Sequence, residues 1–263
     1  MCIECGCNNS VPFGVKVLSM IAPRLLQPRE PAVPHATALH PPPATPHTLE
    51  IHASLLAKND TAAARNRGWF CQRRMLALNL LSAPGSGKTT LLSRSVDEFG
   101  HEQRCAVLVG DLETDNDARR LHRPHVPVAQ ITTGTACHLD AAMVARGLDA
   151  LALDGVRVMF IENVGNLVCP ADFDLGESLR VVLLSATEGE DKPLKYPPIF
   201  KSAHLVLLTK IDVAEVLGFD RAVAVDNIRR IAPQARLIQL SARSGEGMAE
   251  WYQFLRTHLP PLA

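Results

Sequence analysis

The chain has 263 residues, 47% of them hydrophobic, and its 27 basic and 27 acidic side chains give a formal net charge of +0. That length can bury a full core in one large domain with an appendage, and the neutral balance argues against a broad electrostatic grip on nucleic acid or an anionic membrane. Seven cysteines, an odd number with three in the first seven residues, point to a reducing cytoplasm and to thiols kept for metal or redox chemistry.

At the amino terminus Cys2, Cys5 and Cys7 stand beside the free α-amine. A C-x-x-C pair can wrap one soft or borderline ion, and Gly6 leaves room for the third thiolate. Three sulfurs and an amine suit planar nickel(II) or tetrahedral zinc(II). The apolar stretch from Val11 to Leu26 is interrupted by Lys16 and lacks the basic n-region of a signal peptide. No apolar run approaches the roughly 18 residues of a membrane span. Pro23 to Thr48 is rich in Pro, Ala and His, a composition that cannot build a core. Residues 11–48 are therefore expected to form a flexible tether between a metal motif at 1–10 and a folded domain at 49–263. His35, His40, His47 and His52 are too widely spaced for a compact site and are read as solvated. Leu49 to Phe70 reads as a helix, with Leu49, Ile51, Leu55, Leu56 and Ala62 to Ala64 on its apolar face. Lys58-Asn-Asp60 and Arg65-Asn-Arg67 supply its polar face.

Leu76 to Leu81 is an apolar run that empties into Ser82-Ala-Pro-Gly-Ser-Gly-Lys-Thr89 and then a helix. Strand, small-residue loop and helix in that order make a phosphate-binding loop. Its backbone N–H groups, with Gly85, Ser86, Gly87 and Thr90 among the contacts, converge on phosphate oxygens at a positive helix terminus. Lys88 is expected on the β- and γ-phosphates and the Thr89 hydroxyl on Mg²⁺. Ser82 occupies the place of the pattern's first glycine.

Short apolar strands then alternate with helical stretches, which predicts a mainly parallel α/β sheet covered by helices on both faces. Arg104 to Gly110 is a strand with Asp111 at its tip, where a carboxylate can serve Mg²⁺ or a water. Glu113, Asp115 and Asp117 could join it or simply cap the next helix. Thr132 to Asp140 reads as another helix start, with Cys137 and His138 near its beginning. Val156 to Gly165 is a buried strand ending in Glu162, close to Mg²⁺, with Gly165 placed to sense the γ-phosphate. Cys169 follows at once, so Cys137, His138 and Cys169 form a candidate metal set that a second protomer could complete. A buried free cysteine beside a structural histidine is the other reading of that trio. Cys71 and Cys105 lie in or beside apolar segments and are read as packing residues.

His204 to Asp212 ends in Thr-Lys-x-Asp, one residue away from the guanine-reading Asn-Lys-x-Asp. Lys210 would pack along the base and Asp212 accept from its N1–H and amine. Ser241-Ala242-Arg243 stands where a short loop closes over the base, so the nucleotide expected is GTP rather than ATP. No arginine finger or water-positioning glutamine is identifiable, and slow hydrolysis is expected.

These motifs together resemble the HypB family, the GTPases that assist nickel insertion into nickel–iron hydrogenase. The matching pieces are Cys2-Ile-Glu-Cys-Gly-Cys7, Ser82 to Thr89, Gly110-Asp111, Thr114-Asp-Asn-Asp117, Cys137-His-Leu-Asp140, Glu162 to Pro170, and Thr187-Glu-Gly-Glu-Asp-Lys-Pro-Leu-Lys195. The resemblance covers roughly residues 49–258 and the extreme terminus. It implies a parallel-sheet P-loop GTPase that dimerises with nucleotide. It also implies a nickel site at Cys2, Cys5 and Cys7, and a nickel or zinc site at Cys137, His138 and Cys169. The implied partners are a companion nickel-accessory protein and the hydrogenase large subunit. Thr209 departs from the usual Asn. A metal-storage or sensor protein and a urease-side nickel GTPase are the competing functions.

Overall fold

The structure is a computed structural model that describes residues 14–17, 46–112 and 116–262. The Cys2, Cys5 and Cys7 motif, most of the expected tether, and Glu113 and Asp115 lie outside the described residues. In chain order the elements are β1 (Val15–Val17), α1 (Pro46–Gln72), β2 (Leu76–Ser82), α2 (Lys88–Glu98), β3 (Cys105–Asp111), α3 (Asn116–Leu121), β4 (Val128–Thr132) and α4 (Ala141–Asp149). Then come β5 (Val158–Glu162), β6 (Leu179–Ser185), α5 (Lys192–Lys195), α6 (Pro197–Lys201), β7 (Leu205–Thr209), α7 (Arg221–Ile231), β8 (Arg236–Gln239) and α8 (Met248–His258).

Among the described residues the strands form one eight-stranded sheet in the order β1-β4-β3-β5-β2-β6-β7-β8. Strands β2 to β8 are parallel, and β1 adds antiparallel to β4 with Val15 opposite Ile131. Val15–Val17 thus corrects the reading of 11–48 as tether throughout, because three residues of it pair with the sheet edge. Side chains of a strand alternate between faces, and β2 shows what each face buries. Leu76, Leu78 and Leu80 point into a layer with α2 and α8, including Leu91, Val96, Trp251 and Phe254. On the other face Ala77 meets α1 and α4 through Phe70 and Val144. Leu81 meets α6 and α7 through Phe200 and Ile228. Burial on both faces explains why these strands read as continuous apolar runs.

α1 corrects the sequence reading in a second way. Its buried stripe is Asn59, Ala63, Asn66 and Phe70, so half of it is polar. Asn59 Nδ2 donates to the Asp174 carbonyl at 2.7 Å, and its Oδ1 accepts from Ala141 N at 2.9 Å. Asn66 Nδ2 donates to the carbonyls of Ala141 and Leu175 at 2.8 and 2.9 Å. Buried amides must find partners, and here they clamp the start of α4 and the loop after residue 170 onto α1. Cys105 is buried as expected, and its thiol is pushed up to about 12 by burial. Cys71 is exposed, at the end of α1 where the helix leaves the core, so it is not a packing residue.

Candidate functional site: a nucleotide cleft beside a sulfur–nitrogen cluster

Strand β2 lies between β5 and β6, and the chain runs from β2 to one side and later returns to the other. The carboxyl ends of the strands open at such a reversal. A cleft of about 430 Å³ sits there, lined by the loop from Pro84 to Thr90, by Asp111, Asp117 and Arg120, and by Glu162 to Gly165. Gly87 has φ +99°, a left-handed conformation that side chains resist, and α2 starts immediately after it. Gly165 is required for a different reason. A Cβ there would come within 2.9 Å of Pro84 Cα, so the segment after β5 lies directly on the phosphate loop.

Lys88 is 7% exposed, and its Nζ donates to Ser82 Oγ at 2.8 Å. Ser82, in the place of a glycine, therefore holds the lysine. Burial lowers the Lys88 pKa, against the pull of the nearby Glu162 charge. The Thr89 hydroxyl donates to Glu162 Oε1 at 2.7 Å. Burial pushes the Glu162 carboxyl up to about 7, although Lys88 and the Thr89 bond oppose the shift. Its buried Oε2 has no hydrogen-bond partner among the described residues. An unpartnered carboxylate oxygen beside a threonine hydroxyl, with Asp111 on the same cleft, is a donor set that fits a hard divalent cation. Ser86 contributes only through its backbone, because its hydroxyl is bonded to the Ala83 carbonyl at 2.6 Å and to Glu188 Oε1 at 2.7 Å. Glu188, in the Thr187 to Lys195 motif, also accepts from Ser185 N and so ties the loop to the end of β6.

A second hollow of about 290 Å³ adjoins the first, lined by Thr209, Lys210, Asp212, Ser241 and Ala242 among others. Thr209 is not directed at a base. Its hydroxyl donates to the Ser86 carbonyl at 2.8 Å, joining β7 to the phosphate loop. Lys210 has φ +57° and lays its stem over the loop, with Nζ donating to the Gly85 carbonyl at 2.6 Å. Asp212 is exposed on the turn that follows. The Ser241 hydroxyl accepts from the N–H groups of Arg243 and Ser244, so it shapes the closing loop instead of pointing into the hollow.

Cys137, His138 and Cys169 come together, one ligand atom of each within 4.8 Å of the others. Ligand atoms held about 2.0–2.3 Å from a tetrahedral ion stand roughly 3.3–3.8 Å apart, so a closing of about 1 Å completes the set. Cys137 and His138 are not in a helix start, as the sequence reading had them. They lie in the loop before α4, whose N-cap is Asp140, its side chain accepting from Met143 N at 2.6 Å. The His138 ring stacks on Phe173 at 3.8 Å, and burial lowers its pKa, which favours the neutral, ligating imidazole.

The supporting residues were not apparent from the sequence. Asn166 Nδ2 donates to the Cys137 carbonyl at 3.3 Å and its Oδ1 accepts from Val168 N, so one side chain joins both arms of the cluster. Asn163 Oδ1 accepts from Leu139 N at 3.1 Å, and its amide donates to Asn79 Oδ1 at 3.2 Å. Asn79 donates in turn to Glu177 Oε1, which also takes Arg180 Nε at 2.8 Å. Arg180 then donates to the carbonyls of Ala171 and Phe173. Asn163 and Asn166 stand inside the Glu162 to Pro170 motif, but the role of each, like that of Asn79, depends on a partner brought in from a distant part of the chain.

The sequence model of the CobW/HypB/UreG nucleotide-binding domain matches residues 76–239. The chain belongs to this family. It is 49% identical over 209 residues to the hydrogenase maturation factor HypB of Escherichia coli (strain K12), covering 80% of this chain and 72% of that one. Its fold matches the crystal structure of HypB from Archaeoglobus fulgidus with a TM-score of 0.73 at 38% identity, over 77% of this chain and 99% of that one. It also matches HypB from Helicobacter pylori, solved in complex with nickel, with a TM-score of 0.72 at 36% identity over 78% and 99% of the two chains. The chain is thus a P-loop GTPase of the hydrogenase maturation type, with the parallel-sheet architecture expected. No helix among the described residues is long and apolar enough to cross a membrane.

Proposed function

We propose that this GTPase is a nickel metallochaperone in which the nucleotide state sets metal affinity at Cys137, His138 and Cys169. The observation that carries the reading is the single segment from Glu162 to Cys169. Glu162 receives the Thr89 hydroxyl, Gly165 lies on Pro84, Asn166 holds the Cys137 carbonyl, and Cys169 stands with Cys137 and His138 in a cluster that could hold an ion. A change at the phosphates is felt by the same eight-residue stretch that presents the sulfur. Nickel is the cargo, with zinc competing for the same sulfur–nitrogen donors. Cys2, Cys5 and Cys7 would form the first, tighter nickel site. A GTP-dependent homodimer would supply further ligands, and transfer would run in the cytoplasm, with the companion nickel-accessory protein, toward the hydrogenase large subunit.

Within the cleft, Lys88 and the loop N–H groups bind the phosphates, and Lys210 and Asp212 select guanine. Thr89, Glu162 and Asp111 would hold Mg²⁺, which supplies charge neutralisation on the β- and γ-phosphates. The test is a nickel titration of the full chain with a non-hydrolysable GTP analogue and with GDP, in wild type and in a Cys2/Cys5/Cys7 triple Ala variant. The internal site is expected to differ in affinity by about tenfold or more between nucleotides, a typical allosteric coupling. Equal affinity in both states would favour a storage protein with an uncoupled nucleotide domain.

A pH dependence follows from Glu162. Its ordinary value is 4.5, and burial raises it to about 7. Between those values the folded, nucleotide-free protein keeps a proton that the unfolded chain has lost. The stability contributed by this group is therefore full below about 4.5 and is lost as the pH rises toward about 7. For Glu162 to hold Mg²⁺ that proton would have to leave. The Mg²⁺ concentration for half-maximal hydrolysis is accordingly expected to rise below pH 7, approaching tenfold per pH unit. Mg²⁺ titrations of the hydrolysis rate at two pH values on either side of 7 check this, and superimposable curves would contradict it.

A further inference from the structure

Asp117 and Arg120 stand one turn apart on α3, and both line the phosphate cleft. Arg120 is the one arginine among the described residues of that lining. Its Nη2 lies 3.4 Å from Thr90 Oγ1, at the end of the phosphate loop, and its Nη1 lies 3.6 Å from Asp117 Oδ1. Five other surface arginines (Arg67, Arg94, Arg123, Arg236 and Arg256) close on carboxylates at 2.6–2.9 Å. Arg120 does not. Its side chain is 57% exposed and its contacts are long, so it is the loosely held guanidinium of the set and free to take a better anion. The charges of this pair also reach the buried groups beneath the loop. Asp117 favours the protonated forms of Lys88 and Glu162, while Arg120 favours the Glu162 carboxylate. Three cations line the cleft, and two are already engaged. Lys88 is bonded to Ser82 and Lys210 to the Gly85 carbonyl.

We propose that Arg120 is a catalytic residue of GTP hydrolysis, supplied by the same chain to the phosphates, and that Asp117 is the positioning residue that keeps it on that side of the cleft. In the reaction, water oxygen bonds to the γ-phosphorus as the bond from that phosphorus to the β-bridging oxygen breaks. The electron pair of the broken bond stays on GDP, and both hydrogens of the water leave on the released phosphate, one on the attacking oxygen and one passed to a phosphoryl oxygen. Arg120 takes no proton. Its planar guanidinium spreads the charge that builds on the phosphoryl and bridging oxygens, a role for which a fixed cation with several donors is suited.

The experiment is single-turnover GTP hydrolysis by the full chain with Mg²⁺, with GDP affinity measured in parallel, for wild type, Arg120→Ala, Arg120→Lys and Asp117→Asn. Arg120→Ala is expected to slow hydrolysis by about 10²–10³-fold, with GDP affinity changed by less than about threefold. Arg120→Lys should recover part of the rate, and Asp117→Asn should lose about tenfold. The proposal is overturned if Arg120→Ala hydrolyses within about threefold of wild type. It is equally overturned if GDP affinity falls as far as the rate does, which would make Arg120 a binding or structural group. Absence of hydrolysis in the wild-type chain would overturn the GTPase assignment and this proposal together.

Discussion

Lys88→Ala is expected to reduce GTP hydrolysis by about 10²–10³-fold, the cost of removing one preorganised donor from a charge-stabilising site. Lys88 is buried at the base of the cleft, held by Ser82, and Glu162 is the acidic group that acts on it most strongly. Burial already lowers its pKa, so the ammonium is poised where it lacks water and gains most from an incoming phosphate. In the nucleotide-free protein the same substitution should leave stability almost unchanged. It removes a costly buried charge, and Glu162, with its carboxyl already pushed up to about 7, can stay protonated when the lysine is gone. Single-turnover rates and a thermal melt without nucleotide separate the two effects. A variant that hydrolyses GTP at the wild-type rate would remove Lys88 from the mechanism.

Arg180→Ala carries the second large effect, and it acts on the fold first. Its guanidinium is 13% exposed, its partner Glu177 3%, and the two meet at 2.8 Å. Removing the arginine leaves a buried carboxylate unpaired, which typically costs about 3–5 kcal/mol. The carbonyls of Ala171 and Phe173 lose their donors in the same step. Phe173 is the ring stacked on His138, so nickel affinity at the internal cluster should fall along with stability. Adding Glu177→Gln to Arg180→Ala should recover part of the stability, because the orphaned charge is gone, but not the anchoring of Phe173. Urea denaturation of the single and double variants checks this. A loss below about 1 kcal/mol in Arg180→Ala would mean that the pair is no more than an exposed salt bridge.

The sequence by itself determined the phosphate loop, the α/β alternation and the order of the nucleotide motifs. Each is a local pattern: glycines before Lys88-Thr89, apolar runs buried on both faces, and Lys210-Ile-Asp212 after a strand. Periodicity and turn chemistry act over a few residues, and a single sequence displays them. Only the tertiary structure decided what the polar residues between those motifs do. Asn59 and Asn66 read as the wet face of a helix, yet they are buried at 7% and 4% exposure because their partners are at 141 and 174–175. Thr209 read as a weakened base contact and is a tie to Ser86. Cys137 and Cys169, thirty-two positions apart in numbering, meet because β5 carries one arm past the loop that leads into α4. Arg120 showed no motif of its own, and its place in the cleft depends on how α3 is set against α2. Hydrogen-bond partners are fixed by long-range packing, so most leave no period or spacing in the chain to be read, whereas Cys137, His138 and Cys169 were legible as ligands by their chemistry and the structure added only that they meet.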